Sequence, residues 1–155
     1  MPLDALRSFL DSNAVKYVTV KHSPAYTAQE LAALSHVPGK DWAKTVMVKL
    51  DGKMAMAVVP ASGRVIFDLL REASGAKEAE LATEREFTDL CPGCEVGAMP
   101  PFGNLFGMAV YVDEALAEDA EIAFNAGTHT EMMRLPFSDF ARLVKPKVVR
   151  LTRRA

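Results

Sequence analysis

The sequence contains few cysteines, few histidines and no long hydrophobic run. Two cysteines and three histidines in 155 residues offer little material for a metal site. No apolar stretch approaches the roughly 20 residues of a membrane-spanning helix, and the first residues lack the charged start and apolar run of a signal peptide. The sequence therefore predicts a cytoplasmic protein with no membrane partner.

An excess of positive charge is also missing. The formal net charge is -2, so the chain has no general attraction to polyanions and any contact with nucleic acid must be local. Basic residues do cluster near the C-terminus, at Lys145, Lys147, Arg150, Arg153 and Arg154. They would either touch phosphate groups or form a solvated tail, and the tail is the favoured interpretation.

The length and the pattern of elements predict the fold class. A chain of 155 residues, half of them apolar, suits one domain that spans residues 1–155. Helix and strand patterns are interspersed without the regular alternation of a doubly wound sheet, and hairpins are frequent. We expect an α+β fold in which a mixed, mostly antiparallel sheet is flanked by helices.

Periodicity and capping signals predict the individual elements. Helices are expected at 3–13, after Thr27 to about residue 35, within 65–73, at 83–90 and from an N-cap at Ser138. Strands are expected at 17–20, 43–50, 53–59, 76–81, 108–112, 121–125, 130–135 and 148–149.

One stretch has the pattern of a β-hairpin that carries a lysine. Two apolar runs flank Asp51-Gly52, a pair that tolerates the positive φ angles of a tight turn. Because strand side chains alternate, Lys44 shares a face with Val46 and Val48. A lysine on a core-facing row must reach solvent, pair with a carboxylate or bind an anion. The pattern alone favours the lysine that reaches solvent and leaves the ligand role open.

The two cysteines lie in Cys91-Pro92-Gly93-Cys94. This spacing is typical of redox motifs and of half a zinc knuckle, but no second ligand pair is nearby and the expected structural setting is missing. We expect a structural loop, and redox or metal roles remain as alternatives. No cofactor and no metal are predicted.

A stretch rich in proline and glycine follows, at residues 95–103. It is too rich in these residues for a central strand and too apolar for a plain surface loop. The segment would either hold backbone groups in a rigid cup around a ligand or serve as a stiff connector. Two other residues have open roles: His22 would line a site or cap a loop, and Trp42 would wall a pocket or belong to the core.

Four short motifs together resemble the YbaK/ProX family of aminoacyl-tRNA deacylases, whose domain is also the editing insertion of bacterial prolyl-tRNA synthetases. They are His22-Ser23-Pro24-Ala25-Tyr26-Thr27, Lys44-Thr45-Val46, Gly97-Ala98-Met99-Pro100-Pro101 and Ala126-Gly127-Thr128. The motifs follow the family's order and approximate spacing over nearly the whole chain. The resemblance implies the fold of that family.

The resemblance also implies a free-standing enzyme that hydrolyses the ester between a wrong amino acid and tRNA, most typically proline tRNA. Lys44 would hold the 3′ end of the tRNA, and the loop from Gly97 to Pro101 would position the aminoacyl group. A hydroxyl of the substrate ribose would assist the reaction in place of a protein nucleophile. The implied substrate-binding residues are His22, Tyr26, Thr27, Trp42, Ala98, Met99, Pro100, Phe102, Gly127, Thr128 and His129.

Several points stay open in this interpretation. Prolyl-tRNA synthetase is a candidate partner, and alanine is the first expected amino acid, with serine, threonine, cysteine and 2-aminobutyrate as alternatives. A noncatalytic module that binds tRNA or a synthetase would carry the same motifs. A thiol redox or metal protein centred on Cys91 and Cys94 is the second alternative.

Overall fold

The computed structural model describes residues 2–21, 41–87, 94–95 and 98–152. Its strands are β1 (Val18–Lys21), β2 (Ala43–Leu50), β3 (Lys53–Pro60), β4 (Ala79–Leu81), β5 (Ala109–Asp113), β6 (Glu121–Asn125), β7 (Glu131–Pro136) and β8 (Lys147–Val149). Its helices are α1 (Pro2–Ser12), α2 (Phe67–Ser74), α3 (Glu84–Phe87), α4 (Glu114–Ala117) and α5 (Phe137–Val144), with a 3₁₀ turn at Gly103–Leu105.

The hairpin predicted around Asp51-Gly52 is confirmed. β2 and β3 pair antiparallel from Ala43 opposite Pro60 to Leu50 opposite Lys53. Asp51 and Gly52 both have positive φ, at 50° and 84°, as the tight turn requires. The carboxylate of Asp51 also accepts hydrogen bonds from the amides of Lys77 and Glu78, which ties the turn to the segment before β4.

The strands form two sheets. A five-stranded mixed sheet has the order β4-β2-β3-β5-β8, and a three-stranded antiparallel sheet has the order β1-β7-β6. β3 and β5 run parallel, as do β5 and β8. A single parallel bridge between Trp42 and Ala123 joins the start of β2 to β6. The α+β class is therefore confirmed, whereas the division into two sheets was not predicted.

Both faces of the five-stranded sheet are covered. The larger core joins one face to α1, α5 and the three-stranded sheet, and its centre is Phe102, which packs with the rings of Phe124 and Phe140 at centroid distances of 5.5 Å. The smaller core lies on the other face, where Val48 and Val59 pack with Leu70 of α2 and with Leu151. β2 therefore contributes side chains to two cores.

Most element predictions hold, and one helix start was wrong. Ser138 was expected as the N-cap, but α5 begins at Phe137 and Pro136 is the cap residue. β7 runs directly into the helix, and the amide of Phe137 donates to the carbonyl of Ala120 at 3.0 Å, so it needs no serine cap. The helix expected after Thr27 lies outside the described residues. Within the described ranges, no helix is long and apolar enough to cross a membrane.

Candidate functional site

Lys44 lies near the start of β2, on the face that carries the smaller core. Its backbone is opposite Val59, a fully buried residue, and the lysine itself is half-buried. The Nζ atom donates a hydrogen bond to the carbonyl oxygen of Gly63 at 3.0 Å. Lys44 forms no ion pair with any carboxylate in the described part of the chain. A carboxylate paired with Lys44 would have favoured a purely structural role for this lysine. No such pair is observed among these residues.

The electrostatic setting of Lys44 is unfavourable to its own charge. Burial lowers the pKa of the Lys44 ammonium, and the nearby guanidinium of Arg64 lowers it further. A cation that is partly desolvated, held by a neutral carbonyl and placed near a second cation gains most from an anion. The site is therefore suited to a phosphate group or another negatively charged ligand.

Two segments that are 30 residues apart in sequence are held together by hydrogen bonds. The amide of Glu95 donates to the carbonyl of Gly127 at 2.8 Å, and the amide of Gly127 donates to the carbonyl of Ala98 at 2.8 Å. The Glu95 carboxylate accepts from the amide of His129 at 3.0 Å. Gly127 has a φ of 102°, which L side chains rarely adopt. The structure thus joins the residues around the proline-rich loop to the turn at 126–129.

The proline-rich segment rests directly on the core. Ala98, Met99, Pro100 and Pro101 are buried, and Phe102 has no exposed surface. Gly103 closes the segment, and a Cβ atom there would lie 2.6 Å from both the Met108 carbonyl oxygen and a Val110 methyl group. Packing holds this backbone in place, and Phe102 serves the core rather than a cleft wall.

Trp42 links the strand that carries Lys44 to the strand that leads into the turn at 126–129. It precedes Lys44 by two residues, is 2% exposed and bridges Ala123 of β6. β6 then leads into the turn at 126–129, where Thr128 is half-buried and His129 is 8% exposed. Lys44 and the joined loops are thus attached to two adjoining strands, β2 and β6. The backbone of Trp42 thus links the two sheets.

Two buried oxygen atoms on these strands lack a hydrogen-bond partner among the described residues. They are Thr45 Oγ1, next to Lys44, and Asn125 Oδ1, at the end of β6. A buried polar atom without a partner costs folding free energy. Both atoms are therefore suited to accept hydrogen bonds from a ligand.

Some predicted residues lie outside the described ranges. They are His22, Tyr26, Thr27 and Gly97, and also Cys91. Cys94 is disulfide-bonded and directly precedes Glu95. Among the described residues, no group of three His, Cys, Asp or Glu side chains could hold a metal ion.

Three residues of the candidate site were not predicted from the sequence: Gly63, Arg64 and Glu95. Gly63 and Arg64 follow the turn after β3, and their distance in sequence from Lys44 hides the contact. The pairing of β2 with β3 supplies the signal, because it returns the chain to the start of β2. Glu95 acts through hydrogen bonds that no local pattern encodes.

A separate cavity of about 460 Å³ lies at the other end of the hairpin. Its lining includes Met54, Phe106 and Tyr111, together with Leu50 and Lys53 beside the turn. Lys44 is at the opposite end of β2, so this cavity is distinct from the candidate site.

Known proteins resemble this chain in sequence. The family model described as the aminoacyl-tRNA editing domain matches residues 22–143. The multifunctional Ser/Thr-tRNA deacylase ProXp-y of Escherichia coli (strain K12) is 26% identical over 155 residues, covering 97% of this chain and 92% of that protein. The proline--tRNA ligase of Bacillus mycoides (strain KBAB4) is 27% identical over 89 residues, covering 57% of this chain and 16% of the ligase.

Solved structures share the fold. The hypothetical protein APE2540 superimposes with a TM-score of 0.86 at 20% identity, covering 96% of this chain and 99% of that one. A protein described as a candidate trans-editing enzyme for prolyl tRNA synthetase has a TM-score of 0.83 at 21% identity, with 99% and 98% covered. At these identities the likeness establishes the fold alone.

Proposed function

The chain belongs to the aminoacyl-tRNA editing domain family, and on that premise we propose that it is a trans-editing aminoacyl-tRNA deacylase. It hydrolyses the ester between a small, wrongly attached amino acid and the terminal ribose of a tRNA, most typically proline tRNA. The enzyme is a single cytoplasmic domain, and prolyl-tRNA synthetase is its candidate partner. The observation that carries the proposal is the family match over residues 22–143, which includes Lys44 and both loop segments.

Lys44 anchors the RNA end. Its ammonium lacks a carboxylate partner among the described residues, and the Gly63 carbonyl orients it at 3.0 Å. A phosphate or ribose oxygen of the terminal nucleotide would take the remaining donor positions of the ammonium. This contact would hold the ester in a fixed position, which is a large part of what catalysis of an already activated ester needs.

The joined loops supply a rigid wall. The amides of Ala98, Gly127 and His129 donate to protein acceptors, so they shape the loops and are not available as oxyanion donors. The buried proline pair stiffens the wall further. Shape exclusion by such a wall is the means by which proline would be rejected, because an apolar pocket discriminates by only about 1 to 3 kcal/mol per methylene.

The reaction needs no protein nucleophile. A hydroxyl of the substrate ribose would assist water in attacking the ester carbonyl, as the family resemblance implies. Because ProXp-y of Escherichia coli is a Ser/Thr-tRNA deacylase, serine and threonine are the amino acids to test first, ahead of alanine.

The experiment is a deacylation assay with purified protein. Proline tRNA charged separately with serine, threonine, alanine, cysteine, 2-aminobutyrate or proline is incubated with enzyme, and the remaining ester is followed over time. The proposal expects rapid loss of at least one small amino acid and persistence of proline. Binding of tRNA without hydrolysis of any ester would instead identify a noncatalytic module.

A further inference from the structure

A second cation lies beside Lys44. The carbonyl that binds the Lys44 ammonium belongs to Gly63, and the next residue, Arg64, is exposed. The charge of Arg64 is close enough to lower the pKa of Lys44. Arg64 forms no ion pair among the described residues. Among the described residues, no carboxylate pairs with either of these two like charges.

The C-terminal segment packs against the same loop. A Cβ atom on Gly63 would lie 3.1 Å from the Thr152 methyl carbon, and the amide of Ile66 donates to the Leu151 carbonyl at 2.8 Å. The buried carboxylate of Asp113 accepts from the amides of Leu151 and Thr152 at 2.7 and 3.0 Å. This part of the C-terminal segment is fixed to the protein and is not a solvated tail.

Arg150 adds a third positive charge to this surface. It is exposed, and its Nε atom donates to the Thr152 carbonyl at 3.4 Å. Like Arg64, it has no ion pair in the described part of the chain. Asp113 is fully buried and also accepts from the amide of Ala115 at 3.1 Å. Its hydrogen-bonding capacity is used by backbone amides, so it pairs with neither arginine.

Of the other described arginines, Arg71, Arg134 and Arg142 form ion pairs, whereas Arg7 and Arg85 form none. Arg71 pairs with Asp68, and Arg142 pairs with Asp139 at 3.2 Å, each one helical turn apart. The chain has a net charge of -2, so any attraction to a polyanion must come from a local group of positive charges. The sequence continues from Thr152 directly into Arg153 and Arg154, which raises the positive charge of the segment.

We propose that Arg64 and Arg150, on the surface that joins residues 63–66 to residues 150–152, bind backbone phosphates of the tRNA acceptor end. The inference rests on the proposed function, because it places this RNA next to the terminal nucleotide that Lys44 anchors. This surface recognises the charge and position of the phosphates and does not distinguish between bases. Arg150, one of the C-terminal basic residues expected above to form a solvated tail, thereby gains a binding role.

The test uses the variants Arg64→Gln and Arg150→Gln, singly and together, with Arg142→Gln as a control that removes one charge elsewhere. Binding of uncharged proline tRNA is measured by fluorescence anisotropy between 50 and 300 mM KCl. Each lost phosphate contact should reduce the slope of log affinity against log salt by about 1, so the double variant should lose about 2. Arg142→Gln should retain the wild-type slope.

A kinetic comparison separates the surface from the catalytic step. We measure kcat/KM on the preferred mischarged tRNA and on the same amino acid esterified to adenosine, which lacks the acceptor phosphates. The double variant should lose about tenfold or more on tRNA and much less on the adenosine ester, and Arg64→Lys should retain most of the activity. Equal losses on both substrates, or wild-type binding and salt slope in the double variant, would overturn the proposal.

The binding assay also distinguishes this proposal from the proposed function. Wild-type protein that hydrolyses no ester would refute the deacylase assignment. If the slope of log affinity against log salt is still reduced in the double variant, the proposed RNA-binding surface is supported independently. If the wild type hydrolyses an ester and the slope does not change, the surface fails alone.

Discussion

The Nζ atom of Lys44 lies 3.0 Å from the carbonyl oxygen of Gly63, so a neutral backbone group orients this ammonium, and no carboxylate of the described residues pairs with it. A partly buried cation without an ion-pair partner contributes little to folding stability, but it can bind an anion favourably. This geometry bears on the two roles of Lys44 that the sequence left open, a lysine that only reaches solvent and a lysine that binds a ligand. Stability and activity should respond in opposite directions when this side chain is changed.

Replacing Lys44 by methionine should leave the protein as stable as the wild type or more stable at pH 7. Burial and Arg64 lower the pKa of Lys44 below its ordinary value of 10.5, so the unfolded chain binds the proton more tightly than the native protein does. Wild-type stability should therefore rise as the pH passes from the native pKa to above 10.5. Urea denaturation of both proteins at several pH values measures the difference. A Lys44→Met loss of more than about 1 kcal/mol at pH 7 would mark Lys44 as structural.

Glu95 should matter for activity through the hydrogen bond from the His129 amide. Glu95→Ala removes that bond but leaves the backbone bonds between Glu95, Gly127 and Ala98 intact. We expect kcat/KM on mischarged tRNA to fall about tenfold, with a loss of stability of about 1 kcal/mol. Glu95→Gln retains an acceptor oxygen and should recover most of the activity. Full activity in Glu95→Ala would show that the tie between the loops has no role in the reaction.

Glu86 should make stability dependent on acid pH. Its hydrogen bond from the Lys49 ammonium, followed by those from the amide and hydroxyl of Thr83, lowers the pKa of Glu86 to about 2. The carboxylate therefore stabilises the fold above its ordinary pKa of 4.5, and this contribution is lost as the pH falls toward about 2. Glu86→Gln should be less stable than the wild type at pH 6, and the gap should close near pH 2.

The matched control for Glu86 is Glu72→Gln. Glu72 is exposed and forms no ion pair in the described part of the chain. The unfolding free energy of the Glu72→Gln variant should follow that of the wild type across the same pH series. A gap between wild type and Glu86→Gln that does not change between pH 6 and pH 2 would refute the assignment.

Local patterns predicted local structure well. Alternation and the Asp51-Gly52 turn predicted the central hairpin and placed Lys44 on the face with Val46 and Val48, because a hairpin is encoded by neighbouring residues. The parallel pairing of β3 with β5 was not predicted, since about 50 residues separate the strands and no local signal names the partner. The division into two sheets was missed for the same reason.

The site followed the same rule. Lys44 and the loop segments were proposed as site residues from the family resemblance, whereas the long-range contacts around each of them were not predicted. The Gly63 carbonyl, the Glu95 tie and the C-terminal segment held by Asp113 all act across long sequence separations. Phe102 was named among the implied substrate-binding residues, but it has no exposed surface and packs with Phe124 and Phe140 in the core.

The most direct test of the account is single-turnover hydrolysis of the preferred mischarged tRNA by wild type and by Lys44→Ala. With Lys44 as the anchor of the RNA end, the wild type should remove the ester far faster than buffer alone. Lys44→Ala should be slower by at least about tenfold, equivalent to about 1.4 kcal/mol of transition-state stabilisation. Equal rates for the two proteins, or no ester loss at enzyme levels well above background, would contradict the account.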